Sequence, residues 1–256
     1  MLQAHSYLWH YLWVAPNVLL LILAVLLWWR GAAHRFPVFL AFIVIGALGQ
    51  LVVYCADLLP LISAEVFWRI AWANLILEGI LKFAVIGEIF AQVLGSYSSL
   101  ARLGKILIRI VGVVLVFAAA LAAALTPTDN SHVIVAGDHL LSQTIYLVET
   151  GLLGFIFLFA AYFGLRMKHA YFGMSLGLSV SACVHLAAWA LIANGDVPDS
   201  NRIILTFLNM AAYHFCVLLW FYYLLVPEKV AAQSAVPVPE NNLAVWNREL
   251  ERLLQQ

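Results

Sequence analysis

Six side chains able to carry or exchange a proton lie inside long apolar stretches of this chain: Glu78, Lys82, Glu88, Glu149, His185 and His214. Ionisable groups in such surroundings are costly to insert, face a protein interior rather than lipid, and mark proton relays or ligand sites. Asn74, Glu78 and Lys82 follow one another at intervals of four, so they share one face of a helix. Glu78 and Lys82 at that spacing suit an ion pair that lowers the insertion cost of both. The same pair can act as a relay. Glu149 has no cation on its own stretch, so it must meet Lys82 or a histidine, or stay protonated. It is the residue that points most directly to function. Ser142 and Tyr146 share its helical face, Ser181 lies one turn from His185, and Asn209 with Tyr213 forms a polar stripe. Glu88 falls off the Lys82 stripe and is expected to meet Arg102 or Lys105.

Cofactor chemistry is weighed against the same residues. Glu149, His185 and His214 would make a set of zinc ligands. His185 and His214 would suit the axial positions of a haem b if their rings faced each other. A lone histidine in a span more often serves as an interhelical hydrogen-bond partner. SACVH ends in an S-x-x-x-H spacing at His185, but only His214 stands where an H-x-x-x-H pair would be needed, so neither zinc nor haem b is expected. Retinal is not expected, because the last apolar stretch has no lysine for a Schiff base.

The elements that must position these groups are set by composition. Hydrophobic residues make up 65% of the 256 positions and charged residues 10%, whereas soluble domains carry roughly 45–50% and 25%. Apolar runs long enough to span a bilayer occur near 7–29, 36–58, 68–94, 105–125, 139–165, 170–193 and 202–226. They are apolar on every face rather than alternating, which excludes a membrane β-barrel. The expected fold is all-α, one domain of seven transmembrane helices over 1–226. No Lys or Arg precedes the first run and it is longer than a signal-peptide core, so it is expected to remain as the first helix.

Charge sorts the ends of the runs by side. Arg30, Arg35, Arg102, Lys105, Arg109, Arg166, Lys168, Lys229, Arg248 and Arg252 fall on one side, and only Arg69 and Arg202 on the other. Cytoplasmic loops hold the excess of Lys and Arg, so the N-terminus is expected outside and the C-terminus inside. Trp9 and Trp13 then mark the outer headgroup level, and Trp28, Trp29, Trp220 and Tyr222 the inner one. Counted at 1.5 Å per residue from the outer ends, Glu78, Glu149, His185 and His214 lie at roughly the same depth, with Lys82 one turn deeper. The polar stripes are expected to converge there. Cys55, Cys183 and Cys216 all lie within runs, which suits packing better than a disulfide framework.

Connections are short, so nothing outside the membrane is expected to fold alone. Residues 227–242 read as a Pro-rich linker. Residues 243–256 read as a short cytoplasmic amphipathic helix with Leu243, Trp246, Leu250 and Leu253 at helical spacing. That helix is the candidate contact for a cytoplasmic or membrane protein partner. A net charge of zero offers no basic surface for nucleic acid. Shifting the chain by 135 residues pairs Tyr11 with Tyr146, Phe36 with Tyr171, Ala47 with Ala182, Gln50 with His185 and Asn74 with Asn209. Such a repeat would superpose the first three helices on the last three, in a parallel 3+1+3 arrangement with a site between the halves.

The segments FAVIGEIF at 83–90, RMKHAYFGMSLG at 166–177 and YYLLVPEK at 222–229 resemble those of bacterial seven-helix integral membrane proteins that have no assigned activity. The resemblance implies that fold and a bacterial plasma membrane, and it carries no site residue. The functional expectation is a sensory or small-ligand-binding membrane protein, with a polar pocket in the outer half and output through a partner. A small transporter or proton-coupled carrier using the buried carboxylates is the rival. A metal- or haem-binding membrane enzyme is the third reading.

Overall fold

The computed structural model describes residues 5–94, 131–162, 165, 167–193 and 199–226, together with positions 106, 110, 113 and 252. Among these residues every regular element is helical: α1 (Tyr7–Trp29), a 3-10 turn at Ala32–His34, α2 (Pro37–Leu58), α3 (Ala64–Val93), α4 (Ser131–Tyr162), α5 (His169–Ala193) and α6 (Asp199–Leu225). Each of the six α-helices is long and apolar enough to cross a membrane, and the protein is a multi-pass membrane protein. The expected span at 105–125, the linker at 227–242 and the amphipathic segment at 243–256 lie, apart from single positions, outside the described residues.

Helix ends follow local chemistry. The hydroxyls of Ser6 and Ser63 accept the N–H groups of Trp9 and Val66, capping the starts of α1 and α3. Pro37 occupies the first turn of α2, where its missing N–H costs nothing. Gly31 takes the left-handed conformation (φ 67°) at the turn that ends α1. α3 and α4 begin earlier than the apolar runs at 68 and 139 suggest. Hydropathy marks where a helix meets lipid, whereas backbone hydrogen bonding starts at the cap.

The six helices form a closed ring in chain order, each packed on the next, with α6 returning to α1. Within α1–α3 the neighbours are antiparallel: Tyr54 pairs with His10 across α1 and α2, and Gln50 with Glu78 across α2 and α3. Within α4–α6 they are antiparallel as well, with Tyr146 against His185, and Gly177 against Trp220. The two seams between these triplets are parallel. Along α3 and α4, Gly79 meets Ile145, Lys82 meets Glu149, and Phe90 stacks on Phe155. Along α6 and α1, the ring of His214 lies 5.7 Å from that of Tyr11, and the Arg30 guanidinium donates to the carbonyl of Leu225 at 2.7 Å.

We call the end holding the start of α1 and the α2–α3 turn upper, and the opposite end lower. The lower half is solid: Leu20, Leu23, Phe39, Ile43, Ile86, Ile89, Met174 and Trp220 are buried. Trp220, expected at the headgroup level, is instead 1% exposed. Its ring meets Phe39 and Phe42 edge-on at 5.4 and 6.0 Å. A glycine is required at 177 and 173, because a Cβ there would overlap Trp220 and Tyr223. Small residues of this kind let membrane helices approach closely. The outward faces carry Val18, Ile22, Val25, Leu48, Val52, Leu208 and Leu218 in exposed positions, as contact with lipid tails requires.

Two long-range caps fasten the lower end. Glu88 on α3 accepts the N–H of Phe39 at 3.2 Å, so its carboxylate serves the start of α2. The α2 N-cap residue, Phe36, provides no side-chain acceptor. Glu88 is thereby used by α2; Arg102 and Lys105, its expected partners, lie outside the described residues. Arg30 reciprocally serves the last carbonyl of α6, where a cation is favoured by the helix dipole.

Candidate functional site

The polar centre is built around Lys82. Its ammonium lies 3.1 Å from Glu78 Oε1 and 3.5 Å from Glu149 Oε2. Glu78 comes from the same helix one turn earlier, and Glu149 comes across the parallel α3–α4 seam. The second oxygen of Glu78 accepts from Gln50 Nε2 at 3.1 Å. The ammonium also sits 4.4 Å from the centroid of the Tyr146 ring, within cation–π range. His185 stacks on that ring at 4.2 Å and 24°. Four helices thus contribute to one connected array. Lys82 is 5% exposed and Glu149 0%, so the charges compensate each other in a space from which water is largely excluded.

Above and beside this array, the upper half of the ring encloses a cavity of about 330 Å³. α1 supplies Trp9, Leu12, Trp13 and Asn17 to its wall. Glu78, Lys82 and Gln50 line it from α3 and α2, and Tyr146, Ser181 and His185 from α4 and α5. Thr206, Asn209 and Tyr213 complete it from α6, and Phe42, Leu178 and Trp220 form the deep end. Over the cavity, Trp9 and Trp13 pack edge-on at 4.5 Å, and the Tyr54 hydroxyl bonds His10 Nδ1 at 3.0 Å. Trp9 and Trp13 are therefore part of the pocket wall rather than only a headgroup belt.

Several polar groups in the spans are satisfied locally. Thr206 and Ser175 donate their hydroxyls to carbonyls one turn back, at 3.0 and 2.8 Å. Asn17 differs. Its amide nitrogen donates to the carbonyl of Trp13 at 2.7 Å, but its buried oxygen has no donor. The residue is 2% exposed and lines the cavity. The Oδ1 of Asn209, another lining residue, likewise has no donor.

Of the residues marked by the sequence, Glu78, Lys82, Glu149, His185, Asn209 and Tyr213 are brought to or directly behind one cavity. Two are not. Asn74 packs into the α2–α3 interface, where a Cβ on Gly49 would overlap its side chain. His214 turns its ring to Tyr11 at the α6–α1 seam and is not part of the wall. Both placements have one cause, since a helix face spans more than one neighbour and a stripe on it can end in an interface. His185 and His214 accordingly engage different ring partners, Tyr146 and Tyr11. Among the described residues no three of His, Cys, Asp and Glu are grouped so as to hold a metal ion. Asn17 and Gln50 are wall residues that charge-based reading passes over. Their signal is an uncharged amide in the middle of an apolar run. Cys55 and Cys183 are exposed on the bundle and Cys216 is buried, all three unpaired. Compared with known proteins, the chain matches no family model, no curated protein and no solved structure.

Proposed function

We propose that this is a small-ligand-binding membrane protein whose pocket is the cavity above Lys82, serving a sensory role through a partner. The reading rests on one observation: a ring of membrane helices leaves about 330 Å³ open at the depth where its buried charges sit. Ligand pockets are concave, mostly apolar, and carry a few converging polar groups. This cavity has aromatic walls with one connected polar array. We further read the chain as seven spans with the N-terminus outside, in a bacterial plasma membrane. The parallel course of α3 and α4 supports seven, because the chain between them must return across the bilayer. The upper end is then the outer one, and the cavity lies in the outer half of the bundle. The 243–256 segment is the proposed contact for a partner.

Cysteine accessibility tests the pocket. In a background with Cys55, Cys183 and Cys216 replaced by alanine, Ser181→Cys should react with a membrane-impermeant methanethiosulfonate added outside. Failure to react in folded, membrane-inserted protein would remove the pocket reading.

The rival reading, a small transporter or proton-coupled carrier, is favoured by the two parallel seams. They divide the ring into two antiparallel triplets, the arrangement in which halves rock about a central site. A carrier would expose Ser181→Cys to reagent from the inside as well, and reconstituted protein would move solute or protons along an imposed gradient.

A further inference from the structure

The chemistry of the cavity wall selects among ligand classes. An anion finds no unpaired ammonium among the described wall residues, because that of Lys82 is already held between Glu78, Glu149 and the face of Tyr146. An incoming carboxylate or phosphate would also meet Glu78, which is itself part of the wall. A cationic ligand would instead find in Glu78 a carboxylate that faces the cavity.

Two unpaired polar atoms of the wall favour a ligand that brings donors. The buried oxygens of Asn17 and Asn209 have no donor. The orientation of the Asn17 amide is fixed, because its nitrogen is committed to Trp13. Both atoms are acceptors on wall residues, so each is satisfied by a ligand N–H or O–H. A buried acceptor without a donor costs roughly as much as a lost hydrogen bond, and a ligand that supplies the donor recovers it. Glu78 adds a charged acceptor to the same wall.

A transition-metal ion fits poorly, since no three His, Cys, Asp or Glu side chains are grouped so as to hold one among the described residues. The rest of the wall is large and aromatic, including Trp13, Tyr213 and Trp220. Ring faces attract cations and pack on apolar bodies. A volume of about 330 Å³ is at the small end of ligand pockets, which span roughly 300–1,000 Å³.

We infer that the cavity binds a small organic ammonium that still carries N–H donors, a primary or secondary amine with an apolar or aromatic body, pairing with Glu78 and the oxygens of Asn17 and Asn209. The inference rests on the cavity being a ligand pocket, as proposed above.

Isothermal titration of the detergent-purified full chain with four probes that share a phenylethyl body tests it: 2-phenylethylammonium, 2-phenylethanol, 3-phenylpropanoate and trimethyl(2-phenylethyl)ammonium. The primary ammonium should bind at least ten-fold more tightly than each of the other three. Glu78→Gln should lose at least ten-fold for the ammonium and little for the alcohol. Asn209→Leu gives an independent readout should Glu78→Gln unfold, and it should weaken the primary ammonium while leaving the trimethyl compound unchanged. Equal or tighter binding of the alcohol or the propanoate would overturn the amine class and leave the pocket standing. Equal binding of the trimethyl compound would overturn the role of the N–H donors. No binding by any probe also overturns the amine class, and the labelling of Ser181→Cys then decides whether the pocket itself survives.

Discussion

Lys82 holds two carboxylates from two helices, so its removal and the removal of either carboxylate are unequal events. Lys82→Met leaves Glu78 and Glu149 buried without a cation. Breaking a buried pair in this way costs about 3–5 kcal/mol, and thermal unfolding in micelles should show a large drop. Glu149→Gln keeps the Glu78–Lys82 pair at 3.1 Å and should cost clearly less; a ranking in the opposite order would mean that Glu149 is the true counter-ion. Asn17 invites the converse experiment. Its unpaired oxygen carries a desolvation penalty of about 1–3 kcal/mol, so Asn17→Leu should leave stability unchanged or raised. The same variant should bind 2-phenylethylammonium at least ten-fold more weakly. Higher stability with lower affinity identifies a residue kept for binding.

At the scale of the elements, the lower half is held together by contacts that no single run encodes. Glu88→Ala removes the acceptor at the start of α2 and should cost about 1 kcal/mol, as other lost N-terminal caps do. Hydrogen exchange should rise first at the amides of 38–40. Glu88→Gln retains an acceptor oxygen and should behave close to the native chain. The helices themselves were legible because a spanning stretch of apolar residues has little choice but to form one; 7–29 and 36–58 match α1 and α2 almost to the residue. Who packs on whom was not legible. The stripe Asn74–Glu78–Lys82 shows the reason: Glu78 and Lys82 reach the cavity, whereas Asn74, on the same face, is taken up by Gly49 of α2. Trp220 shows it again. Its position near the end of an apolar run suits a headgroup anchor, and only the glycines of α5 at 173 and 177 make the space that draws α6 inward. Charge announces a site residue in an apolar run, but an amide such as Asn17 or Gln50 becomes informative only once its neighbours are known.

For the whole molecule, the ring and its two parallel seams carry the topology. If the upper end is outside, Leu61→Cys in the α2–α3 turn should react with an impermeant thiol reagent applied to intact cells, and Arg35→Cys only after the membrane is opened. Leu61 is 93% exposed, so access is not limited by packing. The reverse pattern would invert the proposed orientation. The closure of α6 onto α1 has a bearing on biogenesis as well. Helices enter the bilayer in the order of synthesis, and α6 is the last of those in the ring. Until it arrives, the wall that α1 contributes, with the unpaired oxygen of Asn17, has no partner on one flank. The pocket is thus completed only when α6 inserts, and a chain arrested before α6 would display its future binding surface to lipid, where membrane quality-control proteases would meet it.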